Sequence, residues 1–318
     1  MLTLVTGAAG FIGSHLCEAL VARGDTVVGV DCFTDYYDES VKRRNVAGLL
    51  AGPRFTLLEI DLCEADLGPV VEGVDVVFHQ AAQPGVRLSW ADGFRLYVSQ
   101  NVWATHRILE ACRVAGTSRF VYASSSSVYG NAARYPCDED DRPQPFSPYG
   151  VTKLAGEHLC EAYAANFGFP ATALRYFTVY GPRQRPDMAF NRLIKAGLEG
   201  TAFPLFGDGS AIRDFTYVGD VVRANLAASV ADSAPGEVVN VAGGGSARLS
   251  DLIDLAGELI GTPVPIDRRP AEAGDVGRTG GAIDKAARVL GWKPEVQVEE
   301  GLAAQVAWQR AEADANPT

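Results

Sequence analysis

The sequence predicts an α/β fold built on a doubly wound parallel sheet. Three observations lead there. Short apolar, β-branched runs alternate with segments of helical spacing through the first 177 residues. Each run is bounded by Gly, Pro or polar residues, as buried strands are. A glycine-rich turn, Thr-Gly-Ala-Ala-Gly-Phe-Ile-Gly, joins the first run to the first helical segment.

In chain order, residues 2–6 read as the first strand and 12–23 as the first helix. Strands follow at 26–30, 55–58, 74–79 and 119–123, with a helix at 98–115. Residues 130–148 hold four prolines and an acidic run, and read as a solvated loop. A helix opens after Pro148 and runs over 149–167, and a strand follows at 171–177. Beyond residue 178, Gly-, Pro- and Arg-rich turns separate helices at 188–199, 218–230, 249–259 and 285–290, with one more strand at 237–241. The organisation expected is a Rossmann-type domain over 1–177 and a smaller C-terminal α/β substrate lobe over 178–318, with chain crossing back to the sheet at about 210–245.

The 318 residues suffice for two such units. A composition 47% hydrophobic and 21% charged excludes a disordered chain. A formal net charge of -11 argues against nucleic acid as a partner. The cysteines are scattered, with no C-x-x-C and no Cys/His cluster, which argues for reduced thiols and against a metal site. No apolar run nears the roughly 18 residues of a membrane span, and no secretory leader is visible, so a cytoplasmic location is expected. Lysine is scarce beside arginine, so a lysine at a motif position is not background.

The glycine turn carries the first chemistry. Gly7 permits the tight turn, Gly10 lets backbone approach a pyrophosphate, and Gly13 lets helix pack on strand. The helix start, with Phe11 and Ile12, turns its amides toward the anion. Asp31 closes the second strand, where a carboxylate accepts ribose hydroxyls and repels a 2′-phosphate, so NAD is the expected cofactor. Tyr149 and Lys153 lie four residues apart on one helix face. Hydride removal from an alcohol needs a base. A phenol becomes one when a nearby ammonium and a bound nicotinamide favour the phenolate. A strand ending in four serines, 124–127, places hydroxyls where such folds put their sites.

Together the glycine turn, the Ser-Ser-Val-Tyr-Gly segment and Tyr-x-x-x-Lys resemble the extended short-chain dehydrogenase/reductases, the nucleotide-sugar epimerase/dehydratase group. The resemblance spans nearly the whole chain. It implies Ser125, Tyr149 and Lys153 as catalytic residues, with Tyr149 serving as base and then acid. It implies Asp61, Leu62, Ala81 and Ala82 at the cofactor, and a nucleoside-diphosphate sugar in the second lobe. For the nucleotide it implies Arg192 and Arg213 on the diphosphate, Phe206 beside the base, and Arg269 and Asp275 near the ribose. A longer spacer at 270–274 leaves Arg268 as an alternative to Arg269. The arginines and lysine at 175, 183, 185, 192, 195 and 213 are concentrated as diphosphate binding would ask.

Dehydratases of the group carry an Asp-Glu pair in the serine segment, and decarboxylases a glutamate before Val-Tyr-Gly. Here Ser126 and Ser127 stand instead, which leaves 4-epimerisation. The run 177–189, Arg87 and the early Asp-x-Phe-x-x-Tyr-Tyr segment resemble UDP-glucuronate 4-epimerases. Oxidised at C4, a uronate is a β-keto acid. Donors that fix its carboxylate in one orientation oppose loss of CO2, and Thr178, Ser127 and Arg185 are the candidates for that clamp. The alternatives are a UDP-glucose or UDP-N-acetylhexosamine 4-epimerase, a UDP-glucuronate decarboxylase, and an NAD-sensing regulator. The helices at 98–115 and 149–167 are expected to pair with their copies in a four-helix homodimer interface. His79 is expected to be packed and hydrogen-bonded rather than catalytic.

Overall fold

The computed structural model describes residues 1–243, 245–272 and 274–315. The strands are β1 (Leu2–Thr6), β2 (Thr26–Asp31), β3 (Phe55–Glu59), β4 (Val76–His79), β5 (Arg119–Ser125) and β6 (Ala171–Tyr176), then β7 (Val179–Tyr180), β8 (Phe203–Phe206), β9 (Ile212–Asp214), β10 (Thr216–Tyr217), β11 (Glu237–Val241), β12 (Ser246–Arg248) and β13 (Ile266–Arg269). The helices are α1 (Phe11–Arg23), α2 (Glu39–Leu50), α3 (Gly68–Val71), α4 (Phe94–Tyr97), α5 (Ala104–Ala115), α6 (Pro148–Phe167), α7 (Ala189–Glu199), α8 (Val218–Val230), α9 (Leu249–Ile260), α10 (Asp284–Leu290) and α11 (Val298–Ala315).

Seven strands make one parallel sheet in the order β11-β6-β5-β4-β1-β2-β3. The strand order reverses between β1 and β4, and the crevice at that switch point is where such sheets bind ligands. Both faces are covered. On one, Leu16 and Leu20 of α1 meet Val221, Ala224 and Ala228 of α8 over Val5 and Phe78. On the other, Ile108 and Leu109 of α5 and Cys160 of α6 pack on Leu4, Val77 and Phe120. Fully burying a Val, Leu, Ile or Phe side chain contributes about 1.5–3 kcal/mol, and this double burial makes the strands mostly apolar, with Thr3, Thr172, Arg175 and Asn240 as buried polar members. A third core joins α7, α9 and α11 through Ile194, Leu252, Ala256 and Leu302. That lobe carries the pairs β8–β13 and β9–β12, and β7–β10 lies beside them.

The single helix expected at 98–115 is interrupted: Val98–Trp103 is a π-helical turn leading into α5. The wide turn serves the buried Asn101, whose amide donates to the Gln83 carbonyl at 3.1 Å and to Thr152 Oγ1 at 3.0 Å. Such turns recur at functional sites, and this one grips the loop after β4. The strand expected at 119–123 continues through Ser125, because Ser124 and Ser125 pair with Arg175 and Tyr176. The unexpected α2 buries Lys42, Asn45, Val46 and Leu49. Half of that face is polar, so apolar periodicity barely marks it. Among the described residues, no helix is long and apolar enough to cross a membrane.

Candidate active site

The phosphate-binding end is made by backbone. Gly7 has φ +68°, and a Cβ there would lie 2.9 Å from the Ala81 amide nitrogen. A Cβ on Gly13 would lie 2.0 Å from the Gly7 carbonyl oxygen, so only glycine lets α1 start this close to the turn. Gly10 caps α1 without any side-chain bond, as suits a helix start offered to an anion. Asp31, at the end of β2, accepts from the Ala9 amide at 3.1 Å and the Phe33 amide at 2.9 Å. It also holds a buried ion pair with Lys42 at 2.9 Å. No motif marks Lys42; in a chain this poor in lysine, its being a lysine is the available signal. A cleft of about 190 Å³ is lined by Gly7, Gly10, Phe11, Ile12, Gly13, Asp31, Leu62, Ala81 and Ala82, and further along by Tyr149 and Lys153. Asp61 instead caps its own turn, accepting from the Cys63 amide at 2.8 Å. The glycine cradle, the uncapped helix start and the carboxylate at the end of β2 fit a dinucleotide.

Deeper in the cleft, Ser147 caps α6 by accepting from the Gly150 amide at 3.1 Å, with Pro148 in the first turn. Tyr149 and Lys153 thus sit one turn apart facing the cleft. Lys153 Nζ donates to the Ala123 carbonyl at 2.7 Å. Burial lowers its pKa to about 8, against the raising charge of Glu157. Burial pushes the Tyr149 phenol up, while a hydrogen bond with Ser125 and the charge of Arg185 pull it down. Arg185 thus adds a second cation beside the phenol, next to the lysine that the Tyr-x-x-x-Lys spacing places one turn away. Ser125 Oγ also accepts from the Ser127 amide at 3.2 Å and donates to Ser127 Oγ at 3.2 Å. Ser126 lies half-buried in the same 3-10 turn.

His79 is buried between Thr6 Oγ1 at 2.7 Å and Thr105 Oγ1 at 2.9 Å, and desolvation takes its pKa to about 3. It is packed and neutral, as expected.

The arginine cluster does not act as one group. Arg175 is buried in a two-bond pair with Glu157, at 2.9 and 2.8 Å, and Ser124 also bonds Glu157. Arg183 turns to Glu18 of α1 at 2.6 Å, and Lys195 to Glu199 at 3.8 Å. Those three are structural. Arg185 reaches the cleft, where Asp187 holds it at 3.0 and 2.9 Å and Tyr36 donates to Asp187 at 3.2 Å. Thr178 lies half-buried past the end of β6, with its carbonyl bonded by the Thr216 amide.

A second group gathers from the far lobe. Arg87 lies 4.1 Å over the Phe206 ring and pairs with Asp275 at 3.1 Å. Arg213 donates to the Val276 carbonyl at 2.5 Å, next to Asp275. Arg192 is half-buried on α7. Arg269 is not brought into this group: its side chain is exposed and pairs with Asp267 at 2.8 Å, although its backbone lies beside Phe206 in the β8–β13 register. Arg268 reaches the Asp208 carbonyl instead. Tyr36 and Asp187 lie in the two segments that resemble UDP-glucuronate 4-epimerases, but that they meet, and that Asn101 grips Gln83, depends on residues far apart in the chain.

Comparison with known proteins agrees with this architecture. Residues 3–242 match the NAD dependent epimerase/dehydratase family. The chain is 44% identical over 309 residues, 97% of this chain and 98% of the relative, to a Bacillus subtilis (strain 168) protein named uncharacterized UDP-glucose epimerase YtcB. It is similar to the crystal structure of UDP-glucuronic acid 4-epimerase from Bacillus cereus in complex with UDP-glucuronic acid and NAD, with TM-score 0.95, 43% identity, and coverage of 98% and 100%. It is likewise similar to MoeE5 in complex with UDP-glucose and NAD, with TM-score 0.89, 43% identity, and coverage of 98% and 99%. A glycine cradle at the switch point, a tyrosine and lysine one turn apart beyond it, and a match over most of the length lead to one conclusion: the chain belongs to the NAD dependent epimerase/dehydratase family, and its cofactor is NAD.

Proposed function

We propose that the protein is a UDP-sugar 4-epimerase that interconverts UDP-glucuronate and UDP-galacturonate. The observation that carries the substrate is Arg185, a guanidinium in the same cleft as Tyr149 and Lys153. Bound NAD supplies a reversible hydride acceptor at C4. The chain's own residues do the rest. Tyr149 takes the O4 proton, helped by Ser125, which shares a hydrogen bond with the phenol. Lys153, anchored on Ala123, holds the cofactor ribose. The 4-keto sugar turns over in the pocket, and Tyr149 returns the proton after reduction on the opposite face. Ser126 and Ser127 supply neither acid nor base for elimination. Ser127, Thr178 and Arg185 hold the C6 carboxylate charged and in one orientation, which opposes decarboxylation. Arg87, Phe206, Arg192, Arg213 and Asp275 serve the nucleotide. Arg269 serves it only if its side chain leaves Asp267.

UDP-glucose is the second reading, favoured by the name of the B. subtilis relative; MoeE5 does not decide, since it is solved with UDP-glucose and with UDP-glucuronic acid. Incubating the purified protein with each sugar nucleotide, without added cofactor, and reading products by proton NMR separates the readings. UDP-galacturonate supports the proposal. UDP-xylose overturns 4-epimerisation in favour of decarboxylation, and turnover of UDP-glucose alone overturns the uronate assignment. We also propose a homodimer through the face of residues 98–115 and 149–167, where Trp103, Val151 and Phe167 are exposed.

A further inference from the structure

Arg185 does not enter the cleft as a bare cation. Its Nε and Nη2 donate to the two oxygens of Asp187, at 3.0 and 2.9 Å. Asp187 in turn accepts from the Tyr36 hydroxyl at 3.2 Å. Tyr36 comes from the loop after β2, and Arg185 lies 5.9 Å over its ring. The segment is also tied down from outside. Arg183 is held in the left-handed region at φ +62° and anchored to Glu18 of α1 at 2.6 Å. The guanidinium side chain is 19% exposed, whereas Asp187 is 36% exposed at the cleft's margin. A guanidinium has a second donor edge on Nη1 and Nη2, so an arginine already paired on one side still accepts a second carboxylate on the other. The net charge that second carboxylate meets is then set by the first.

We propose that Asp187 is a specificity-determining counter-charge, which orients Arg185 and tempers its attraction for an anionic C6 group. This rests on the uronate reading of the same site. An uncompensated guanidinium in a partly buried cleft would hold a uronate product as firmly as the substrate and slow its release. With Asp187 present, the clamp recognises the carboxylate by geometry more than by net charge. Asp187 bonds Arg185 and Tyr36, so it acts through Arg185.

The test measures binding rather than turnover. Tyr149→Phe protein, loaded with NAD, is titrated calorimetrically with UDP-glucuronate and with UDP-glucose, with and without Asp187→Asn. The amide keeps the shape and one acceptor oxygen but removes the charge. UDP-glucuronate affinity is expected to rise about tenfold, as loss of one nearby unit charge implies, while UDP-glucose affinity stays within about twofold. Asp187→Ser shifts the ratio in the same direction, and unchanged melting of both variants confirms intact folding. An unchanged ratio, or one that moves toward UDP-glucose, overturns the proposal. The parent protein alone tests the substrate reading: tighter binding of UDP-glucose there sinks the uronate assignment, while the change in ratio still decides the role of Asp187.

Discussion

The two ends of the cleft are built differently. The phosphate end is backbone: a seven-residue turn in which Gly7 and Gly13 leave no room for a Cβ. The sugar-nucleotide side is made of side chains on ion pairs and hydrogen bonds, assembled from positions as far apart as Tyr36 and Asp187 by the sugar, or Arg87 and Asp275 by the nucleotide. A backbone-made site is nearly all-or-none, because one added atom displaces the turn. A site made of paired side chains is graded, because each pair can be weakened without moving the chain. The contrast separates what all relatives must share from what can be tuned between sugars.

Four variants probe that contrast, in falling order of effect. Gly13→Ala places a Cβ 2.0 Å from the Gly7 carbonyl oxygen. It should lose most bound NAD, seen in the absorbance of the purified protein, with Tm lower by roughly 5–10 °C. Retained NAD would mean that the turn adapts and the contrast fails. Tyr149→Phe should keep the cofactor and lose about a thousandfold in kcat. Near-normal turnover would remove the phenol from proton transfer. Arg87→Ala breaks an exposed pair and a ring contact at the nucleotide end. We expect KM up about fivefold with kcat within about twofold, a loss of uniform binding.

The smallest effect sharpens the comparison through pH. Asp214 lies beside Arg213 and accepts from the Gly243 and Gly281 amides, at 3.1 and 3.3 Å. Burial raises its pKa from 3.8 to about 7. Folding therefore favours the protonated form. Its contribution is full below about pH 4 and is lost as pH rises through 7. The Tm advantage of wild type over Asp214→Asn should thus be larger at pH 5 than at pH 8, by roughly 5 °C. An equal difference at both pH values would show that Asp214 ionises normally.

The same contrast explains what was legible in the sequence. The glycine turn, Asp31, and the tyrosine and lysine one turn apart are local patterns, and the structure brings them to one cleft at the switch point. Strands 2–6 and 237–241 match to the residue because each is a short, buried, β-branched run, interrupted only by buried polar residues such as Thr3 and Asn240. The arginines at 175, 183 and 185 stand close in sequence but turn to different partners. Nearness in sequence hid that Arg175 points into the sheet's helical layer toward Glu157, whereas Arg185 points into the cleft. Burial alone decides between those fates, and a buried guanidinium needs a partner that the sequence does not identify. The π-helical turn at Val98–Trp103 was invisible for a similar reason, since it answers to Gln83 and Thr152 rather than to its own neighbours.

The last strand of the main sheet is threaded through the other lobe. β11 reaches β6 only after the chain has made β7 through β10, and its Asn240 bonds the Tyr129 hydroxyl at 2.8 Å. Severing the polypeptide at residue 177 would strip an edge from the sheet and leave Tyr129 without that acceptor. Neither half is therefore a detachable module to be shuffled between enzymes. The lacing also predicts cooperative melting, in which the sugar-facing part cannot loosen without unzipping the floor beneath the cofactor.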